Sequence, residues 1–449
     1  MIVANQAHAL SKENIAKNFT DIKPLMGRRE AAIEASRCLY CYDAPCIAAC
    51  PTSVDVPEFI KRIATGNLKG AARTILEANI LGETCGKVCP TEVLCEGACV
   101  YNNDKQKPIE IGRLQRYAVD YVIKNNIYLF QQGRPTGKKI AVIGGGPAGI
   151  SCAAELRKFG HAVTVYDANQ EVGGLAKYGI APYKLTVFDW EEELDYINNL
   201  GISFVNGKYA GNDVEFSDLE KEYDAIFIGV GLGKTRQLGV PGEDLNGVRN
   251  AIDFIRELHV MPFQDVKIGR SVAVIGSGNT AIDAATEVKR LGAGQVFILY
   301  RRGCDEKSCH ESEYELAKKD GIVFYWHTMP VRITGEKYVT GIVCQKTKPA
   351  KTVGAVKGKI EIVPHSEWTL NIDMVINATG QEKQESWLSK ISDLTLNNGC
   401  IVVNQETGQT TNKKYFAGGD CVNGGKEVVN AVAEGKLAAC GIHKFIMGK

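Results

Sequence analysis

Two copies of one short pattern constrain the fold of this 449-residue chain more than any other feature. In each copy an apolar strand runs into a glycine-rich turn that opens a helix. The first strand, Lys139–Ile143, leads into the turn 144–149, and the second, Ser271–Ile275, leads into the turn 276–281. Strand, turn and helix in this order begin a βαβ unit with a parallel sheet. The sequence therefore predicts an α/β fold with two Rossmann-like domains.

The composition of both turns is typical of a dinucleotide phosphate site. Glycine permits a tight turn and a close approach of the backbone, and the helix N-terminus presents N–H groups to a pyrophosphate. The alternative, two ordinary strand–helix turns, is disfavoured because strand, turn, helix and the charge ending the next strand agree in both copies. The candidate phosphate-binding residues are Gly144, Gly145, Gly146, Pro147 and Ala148 in the first turn and Gly276, Ser277, Gly278, Asn279 and Thr280 in the second.

The residue that ends the second strand of each unit indicates which nucleotide it binds. Asp167 follows the strand 162–166, and an acid there can bind a ribose hydroxyl pair, as in FAD or NAD. Arg301 and Arg302 follow the strand 295–300, where guanidinium groups suit a 2′-phosphate and favour NADP. Two acids at positions 305 and 306 weaken that preference, so NAD stays open.

Three further stretches divide the chain into domains. Gly174 and Leu175, in the turn 171–175, let the chain run close beside a flavin, and Gly419-Asp420 ends a strand from Tyr415 that approaches the flavin phosphate or ribityl chain. The segment Ala378-Thr379-Gly380 is a crossover after the strand 373–377, and a helix is expected over 428–439. We predict a helical iron–sulfur domain at 1–133, an FAD domain at 134–234 and 381–449, and an inserted NAD(P) domain at 235–380.

Eight of the 15 cysteines fall in 62 positions near the N-terminus, in a pattern typical of [4Fe–4S] ligation. The two runs are Cys38-x₂-Cys41-x₄-Cys46-x₃-Cys50-Pro and Cys85-x₃-Cys89-Pro-x₄-Cys95-x₃-Cys99. By ferredoxin spacing Cys38, Cys41 and Cys46 hold one cluster and Cys50 contributes to a second. Zinc is the main alternative, but no histidine lies between the first and last of these cysteines.

These parts define a route for electrons. A nicotinamide delivers two electrons as hydride, whereas a [4Fe–4S] cluster accepts one, so a flavin must stand between them. No side chain is expected to act as a catalytic acid, base or nucleophile. The chain leaves no room for a barrel that reduces an organic substrate, which predicts a larger partner subunit. The net charge of +1 and the lack of an 18-residue apolar run predict no nucleic-acid partner, no membrane span and a cytoplasmic location.

The motifs resemble those of a known family over nearly the whole chain. The chain is similar to the N-terminal half of dihydropyrimidine dehydrogenase, to its separate bacterial small subunit and to the small subunit of glutamate synthase. The stretches that carry this resemblance are Cys38-Leu-Tyr-Cys-Tyr-Asp-Ala-Pro-Cys46, Cys50-Pro-Thr52, Gly82-Glu-Thr-Cys-Gly-Lys-Val-Cys-Pro90, Pro108-Ile-Glu-Ile-Gly-Arg-Leu-Gln115 and Phe416-Ala-Gly-Gly-Asp420, with both glycine turns.

The resemblance implies a ligand set that spacing does not select. One cluster takes Cys38, Cys41, Cys46 and Cys99, and the other takes Cys50, Cys89, Cys95 and Gln115, which leaves Cys85 unligated. It also implies flavin contacts from the first turn, Asp167, Leu175, Lys184 and Asp420, and nicotinamide contacts from 277–280, Arg301 and Arg302. Ser308 stands where the dehydrogenase has a further basic residue for the 2′-phosphate.

The expected function is that of an electron-input subunit. It would oxidise NAD(P)H through FAD and two [4Fe–4S] clusters and pass electrons to an FMN-barrel subunit that reduces uracil or thymine. One alternative is the same chemistry in a glutamate synthase or a bifurcating ferredoxin–NADP oxidoreductase. Another, of a different class, is a non-catalytic assembly protein, which the intact glycine turns and cysteines disfavour.

Overall fold

The computed structural model describes residues 10–350 and 359–448 and divides the chain into two compact units. The inserted unit comprises Met1–Asp21, Tyr178–Tyr183 and Lys234–Glu382, and the main unit comprises Ile22–Lys177, Lys184–Gly233 and Lys383–Lys449. The cysteine-rich segment and the first glycine turn share the main unit, whereas the second turn lies in the inserted unit. The three-domain division drawn from the sequence stays a prediction.

Helices and strands largely alternate between residues 139 and 325, as the sequence predicts. Within the described residues the α-helices are α1 Lys12–Asn18, α2 Arg28–Ser36, α3 Pro45–Ala48, α4 Val56–Ala64, α5 Leu68–Ala78, α6 Gly82–Val88, α7 Ile111–Lys124, α8 Pro147–Lys158, α9 Gly174–Tyr178, α10 Val187–Asn198, α11 Phe216–Glu222, α12 Ala251–Val260, α13 Asn279–Arg290, α14 Glu311–Lys319, α15 Glu385–Leu388, α16 Asp420–Asn423 and α17 Val428–Met447. The strands are β1 Lys139–Ile143, β2 Ala162–Asp167, β3 Ser203–Asn206, β4 Ala225–Ile228, β5 Val248–Asn250, β6 Ser271–Ile275, β7 Gln295–Leu299, β8 Val323–Tyr325, β9 Thr328–Thr334, β10 Gly341–Pro349, β11 Ile360–Ile362, β12 Trp368–Leu370, β13 Met374–Asn377, β14 Leu396–Asn397, β15 Cys400–Ile401 and β16 Tyr415–Ala417.

The cysteine-rich part of the main unit is helical. Asp55 caps α4 by accepting the Glu58 N–H at 3.1 Å, and Asn67 caps α5 by accepting the Gly70 N–H at 2.9 Å. Both helices bury an apolar face in one core, in which Phe59 is fully buried. These caps fix where each helix begins, and the core holds the loops that bear the cysteines.

A five-stranded parallel sheet with the order β16-β4-β1-β2-β3 forms the rest of the main unit. Helix α17 packs on α8 so closely that a Cβ on Gly435 would lie 2.1 Å from the carbonyl oxygen of Ala148. The expectation that α17 ends at residue 439 is wrong, because its apolar face continues through the buried Ile442 and the helix ends at Met447. The strand expected to end at Asp420 stops at Ala417.

The inserted unit contains a second five-stranded parallel sheet, with the order β5-β13-β6-β7-β8. A smaller antiparallel sheet of β9–β12, which the sequence did not predict, adds to it. Each glycine turn follows a buried strand. The strand ends at Ile143 in the main unit and at Ile275 in the inserted unit. The α/β class and the two dinucleotide-binding sheets are therefore confirmed. Among the residues that the structure describes, no helix is both long and apolar enough to cross a membrane.

Candidate functional site

The first glycine turn is too closely packed to accept side chains. Gly144 has φ 98°, and a Cβ there would lie 2.5 Å from the carbonyl oxygen of Gly229. A Cβ on Gly149 would lie 1.9 Å from the carbonyl oxygen of Gly144. Pro147 opens α8 at a position where a missing N–H costs nothing. The backbone at the N-terminus of α8 can therefore approach a diphosphate directly.

Asp167 ends β2 beside this turn, as predicted, and is 6% exposed. Its Oδ2 accepts the Gly145 N–H at 2.8 Å, and its Oδ1 accepts the Asn169 N–H at 2.7 Å. These bonds fix the carboxylate at the edge of the turn, where a ribose would lie. The turn bearing Gly174 closes over the same place, because a Cβ on Gly174 would lie 3.1 Å from the Cα of Gly146.

The segment before α16 completes the first site from the C-terminal part of the chain. Gly419 has φ 80°, and a Cβ there would lie 3.0 Å from the Cβ of Ala148. Asp420 begins α16 next to it, and burial raises the pKa of its carboxyl. Glu434 holds this turn by accepting the Gly419 N–H at 2.7 Å. The sequence analysis missed Glu434, which no local motif marks.

Two other expected flavin residues lie on neighbouring parts of the main unit. Leu175 is in the first turn of α9, directly after the close approach at Gly174. Lys184 is half-buried in the stretch that precedes α10. The structure thus brings the glycine turn, Asp167, Leu175 and Asp420 into one unit with Lys184.

The second glycine turn has the same architecture within the inserted unit. Gly276 has φ 135°, and a Cβ there would lie 2.4 Å from the carbonyl oxygen of Ala378. The Oγ of Ser277 is buried and has no hydrogen-bond partner among the residues that the structure describes. Asn279 begins α13, and its Oδ1 accepts the His310 N–H at 3.1 Å. The turn thus places the unsatisfied Ser277 hydroxyl at the N-terminus of α13, which suits a phosphate.

The basic residues after β7 lie beside an acid. Arg301 is exposed, and the Nε of Arg302 lies 4.0 Å from Oε1 of Glu306. Ser308 lies over the turn, with its Oγ 3.5 Å from where a Cβ on Gly278 would be. A 2′-phosphate here would therefore meet the exposed Arg301 and an Arg302 that already faces one carboxylate.

The crossover at Ala378-Thr379-Gly380 is fixed by side-chain bonds in the inserted unit. The Thr379 hydroxyl donates to Oδ1 of Asn377 at 2.8 Å, and Asn377 donates to the carbonyl of Arg236 at 2.7 Å. Gly380 has φ 99°, and a Cβ there would have no atom of the described residues within 4 Å. The crossover is thus a built turn beside Gly276.

Four thiols line one cavity among the N-terminal helices. Cys38, Cys41, Cys46 and Cys99 border a small cavity whose other walls are mostly apolar. Burial, together with the nearby Cys38, Cys99 and Cys41, raises the pKa of the Cys46 thiol to about 11. Thiolates this crowded need a positive partner, and the iron of a cluster supplies one. No three His, Cys, Asp or Glu side chains in the described ranges lie close enough to hold a single metal ion.

A second group of thiols lies where α6 ends. Burial raises the pKa of Cys95, and the charges on Cys89 and Cys50 contribute, which places these three side chains near one another. A side-chain hydrogen bond with Cys85 is the largest cause of the raised pKa of Cys89. The Nε2 of Gln115 donates to the carbonyl of Gly82 at 2.8 Å, so its amide is anchored to the start of α6.

A buried acid that the sequence analysis missed supports the helix before this second group. Glu193 on α10 accepts the Glu83 N–H at 2.7 Å, the Thr84 N–H at 3.0 Å and the Thr84 hydroxyl at 2.5 Å. These groups satisfy the N-terminus of α6, which a local cap does not. Nearly 110 residues separate the partners, so no short-range signal could have identified Glu193.

The chain combines two glycine-rich turns, each on its own parallel sheet, with two separate sets of cysteine thiols. This combination defines a nicotinamide-dependent flavin and iron–sulfur oxidoreductase. The chain belongs to the pyridine nucleotide-disulphide oxidoreductase family, which matches residues 138–435, and its residues 15–127 match the family described as dihydropyrimidine dehydrogenase domain II, 4Fe-4S cluster. The expected cofactors, FAD, [4Fe–4S] clusters and NAD(P)H, are thereby confirmed.

Curated relatives match the chain almost from end to end. The glutamate synthase [NADPH] small chain of Halomonas elongata is 35% identical over 96% of this chain and 94% of its own. The NAD-dependent dihydropyrimidine dehydrogenase subunit PreT of Escherichia coli is 34% identical over 96% of this chain and 98% of its own. The family resemblance seen in the motifs is confirmed.

Solved structures share the fold. FprA of Mycobacterium tuberculosis in complex with NADPH has a TM-score of 0.58 and 20% identity, covering 70% of this chain and 85% of its own. The thioredoxin reductase of Lactococcus lactis has a TM-score of 0.54 and 22% identity, covering 70% of this chain and all of its own.

Proposed function

We propose that this chain is the electron-input subunit of a dihydropyrimidine dehydrogenase, passing electrons to a larger FMN-barrel subunit that reduces uracil or thymine. The observation that carries the proposal is the cavity bordered by four thiols in the same unit as the first glycine turn. When bound, FAD accepts hydride from the nicotinamide and releases electrons singly to the clusters. The chain itself binds, orients and insulates these groups.

The residues fit a division of labour between the two units. In the main unit the first turn holds the diphosphate of FAD and Asp167 holds the ribose. Asp420 lies at the flavin phosphate or ribityl chain. In the inserted unit the turn 276–280 holds the nicotinamide diphosphate, with Arg301 and Arg302 near the adenosine ribose. Leu175 and Lys184 shape the space around the flavin in the main unit, and the crossover 378–380 borders Gly276 in the inserted unit.

One cluster is held by Cys38, Cys41, Cys46 and Cys99, which share the cavity. Its apolar walls, Val56 among them, exclude water and so tune the potential of the cluster. The cluster therefore needs no acid or base among its ligands in order to transfer electrons.

For the second cluster we assign Cys50, Cys89, Cys95 and Gln115. The anchored Nε2 of Gln115 leaves its Oε1 as the atom that can bind iron. Replacing Gln115 with Ala should change the EPR signal and iron content of one cluster, whereas Gln106→Ala, at an exposed position, should change neither. Two unaltered clusters in the Gln115→Ala variant would remove Gln115 from the ligand set. Loss of the second cluster in Cys85→Ser would show that Cys85 is a ligand.

Co-purification with the FMN-barrel partner tests the destination of the electrons. The complex should reduce uracil or thymine with NADH or NADPH, and the isolated chain should reduce only artificial dyes. A yellow-brown pair with dye reductase activity and no pyrimidine reduction would contradict the dehydrogenase assignment while leaving the electron-input chemistry intact.

The similarity to the Halomonas elongata small chain favours a second candidate, the small subunit of a glutamate synthase. In that case a large glutaminase partner would give NADPH oxidation that depends on glutamine and 2-oxoglutarate. The same purified chain can be tested with both partners, and only one pair should turn over.

A further inference from the structure

A lysine and a cysteine outside the glycine turns lie unusually close together in the main unit. The Nζ of Lys383 is 2.6 Å from the Sγ of Cys400. Hydrogen bonds from N–H to oxygen span about 2.7–3.2 Å, and sulfur is a larger atom than oxygen. The separation is therefore short for an N–H···S hydrogen bond, and it is far longer than a direct N–S bond. Two single bonds to one shared oxygen atom place nitrogen and sulfur about this far apart.

The backbone holds both side chains in this position. Cys400 begins β15 directly after Asn398 (φ 48°) and Gly399 (φ 72°), a pair of positive angles that makes a tight hairpin turn. A Cβ on Gly399 would lie 2.7 Å from the Cβ of Lys383. A Cβ on Gly424 would lie 3.0 Å from the lysine Nζ and 3.7 Å from the cysteine Sγ. The two glycines therefore pack against the stem and the head of Lys383.

The pair is half-buried, so a small oxidant can reach it while larger molecules are hindered. We propose that Lys383 and Cys400 form a reversible covalent bridge in which one oxygen atom joins Nζ to Sγ, with dioxygen as the oxidant. This site is separate from the proposed cluster ligands and from both dinucleotide turns.

The reaction balances with one dioxygen per bridge. After the lysine ammonium loses its extra proton, the S–H bond and one N–H bond break, and an S–O and an N–O bond form. The second oxygen atom leaves as water with the two hydrogen atoms. Sulfur and nitrogen each give up two electrons, and these four electrons reduce the dioxygen. Four equivalents of an added thiol reverse the change, as they reverse other mild oxidations of cysteine.

Bridge formation would change the charge that acts on Asp420, close to the first glycine turn. The charge of Lys383 opposes the burial that raises the pKa of Asp420. A bridged nitrogen no longer carries an ammonium charge, so the cation that acts on this carboxyl is lost. Lys383 is also the residue at which the chain re-enters the main unit after Glu382. The bridge thus ties that re-entry point to β15.

Peptide mass spectrometry of the full-length holoenzyme tests this. Air-exposed protein, digested without reductant, should yield the two peptides bearing Lys383 and Cys400 joined, with one oxygen atom more and two hydrogen atoms fewer than their sum. Reduction with dithiothreitol under argon should abolish the joined species. Lys383→Arg keeps a cation beside the thiol but should not form this bridge, and Cys304→Ser, at another half-exposed thiol, should still form it.

Three outcomes overturn the inference. The first is air-exposed wild-type protein whose Cys400 reacts with iodoacetamide as fully before reduction as after it. The second is Cys400 that gains oxygen atoms without losing hydrogen, which is ordinary sulfur oxidation. The third is a joined species that survives in Cys400→Ser. The wild-type comparison decides the matter even if a variant fails to fold, and it is independent of the electron acceptor.

Discussion

Removing the Glu193 carboxylate should destabilise the start of α6 more than any other part of the main unit. Replacement by Ala leaves the backbone N–H groups of Glu83 and Thr84 buried without an acceptor. A buried unsatisfied N–H costs about 1–3 kcal/mol, so the two cost about 2–6 kcal/mol together. The Thr84 hydroxyl, which also loses its acceptor, can rotate and contributes less.

Hydrogen exchange of the peptide 82–88 measures this cost directly. Because about 1.4 kcal/mol is a tenfold change in an opening equilibrium, exchange should quicken by at least about 30-fold. Glu193→Gln retains one acceptor oxygen, so its exchange rate should lie between those of Glu193→Ala and the wild type. Glu192→Ala, at the half-buried neighbouring position, is the matched control and should exchange like the wild type. Unchanged protection in Glu193→Ala would refute the reasoning.

Gly435→Ala should lower the melting temperature and FAD retention, because its Cβ meets the backbone of Ala148, whereas Gly27→Ala meets no atom within 4 Å and should do neither. Burial raises the pKa of Glu83 to about 8 from an ordinary value of 4.5, so its contribution to stability is present below pH 4.5 and is lost as the pH rises towards 8; Glu83→Gln should flatten this part of a pH–denaturation profile. Ser308→Arg should raise kcat/KM for NADPH relative to NADH, and an unchanged ratio would place the 2′-phosphate elsewhere.

Local signals in the sequence define the helices α4 and α5. Apolar residues recur every three or four positions in each, and Asp55 and Asn67 supply caps at their first turns. The strands before both glycine turns were equally clear, since a short β-branched run ends at each turn. Helix α17 was underestimated because the sequence continues as a helix former past residue 439 without a stop signal.

Contacts between distant residues could not be read from the sequence. The bond from the Tyr183 hydroxyl to Oδ1 of Asp283 spans 100 positions at 2.8 Å, and Glu434 reaches Gly419 across a strand-to-helix turn. The antiparallel sheet β9–β12 also escaped, because β11 and β12 have only three residues each and the longer strands β9 and β10 follow no glycine-rich motif. Both glycine turns, Asp167 and three thiols of the cavity were found, since their chemistry is concentrated in short motifs. The fourth thiol, Cys99, was assigned only through the family resemblance.

The two ends of the long segment 234–382 run side by side. The Glu382 N–H donates to the carbonyl of Lys234 at 2.7 Å, and the Arg236 N–H donates to the carbonyl of Gly380 at 2.9 Å. A segment whose ends already meet can be exchanged as a cassette, because its replacement cuts the chain at only two adjacent backbone junctions. The replacement must also keep the contacts that the segment makes with residues 178–183, such as the bond from the Tyr183 hydroxyl to Asp283. A chimera carrying the corresponding segment of an NADPH-specific relative is therefore a practical route to a changed coenzyme preference, and it suggests how such chains could have diversified by recombination.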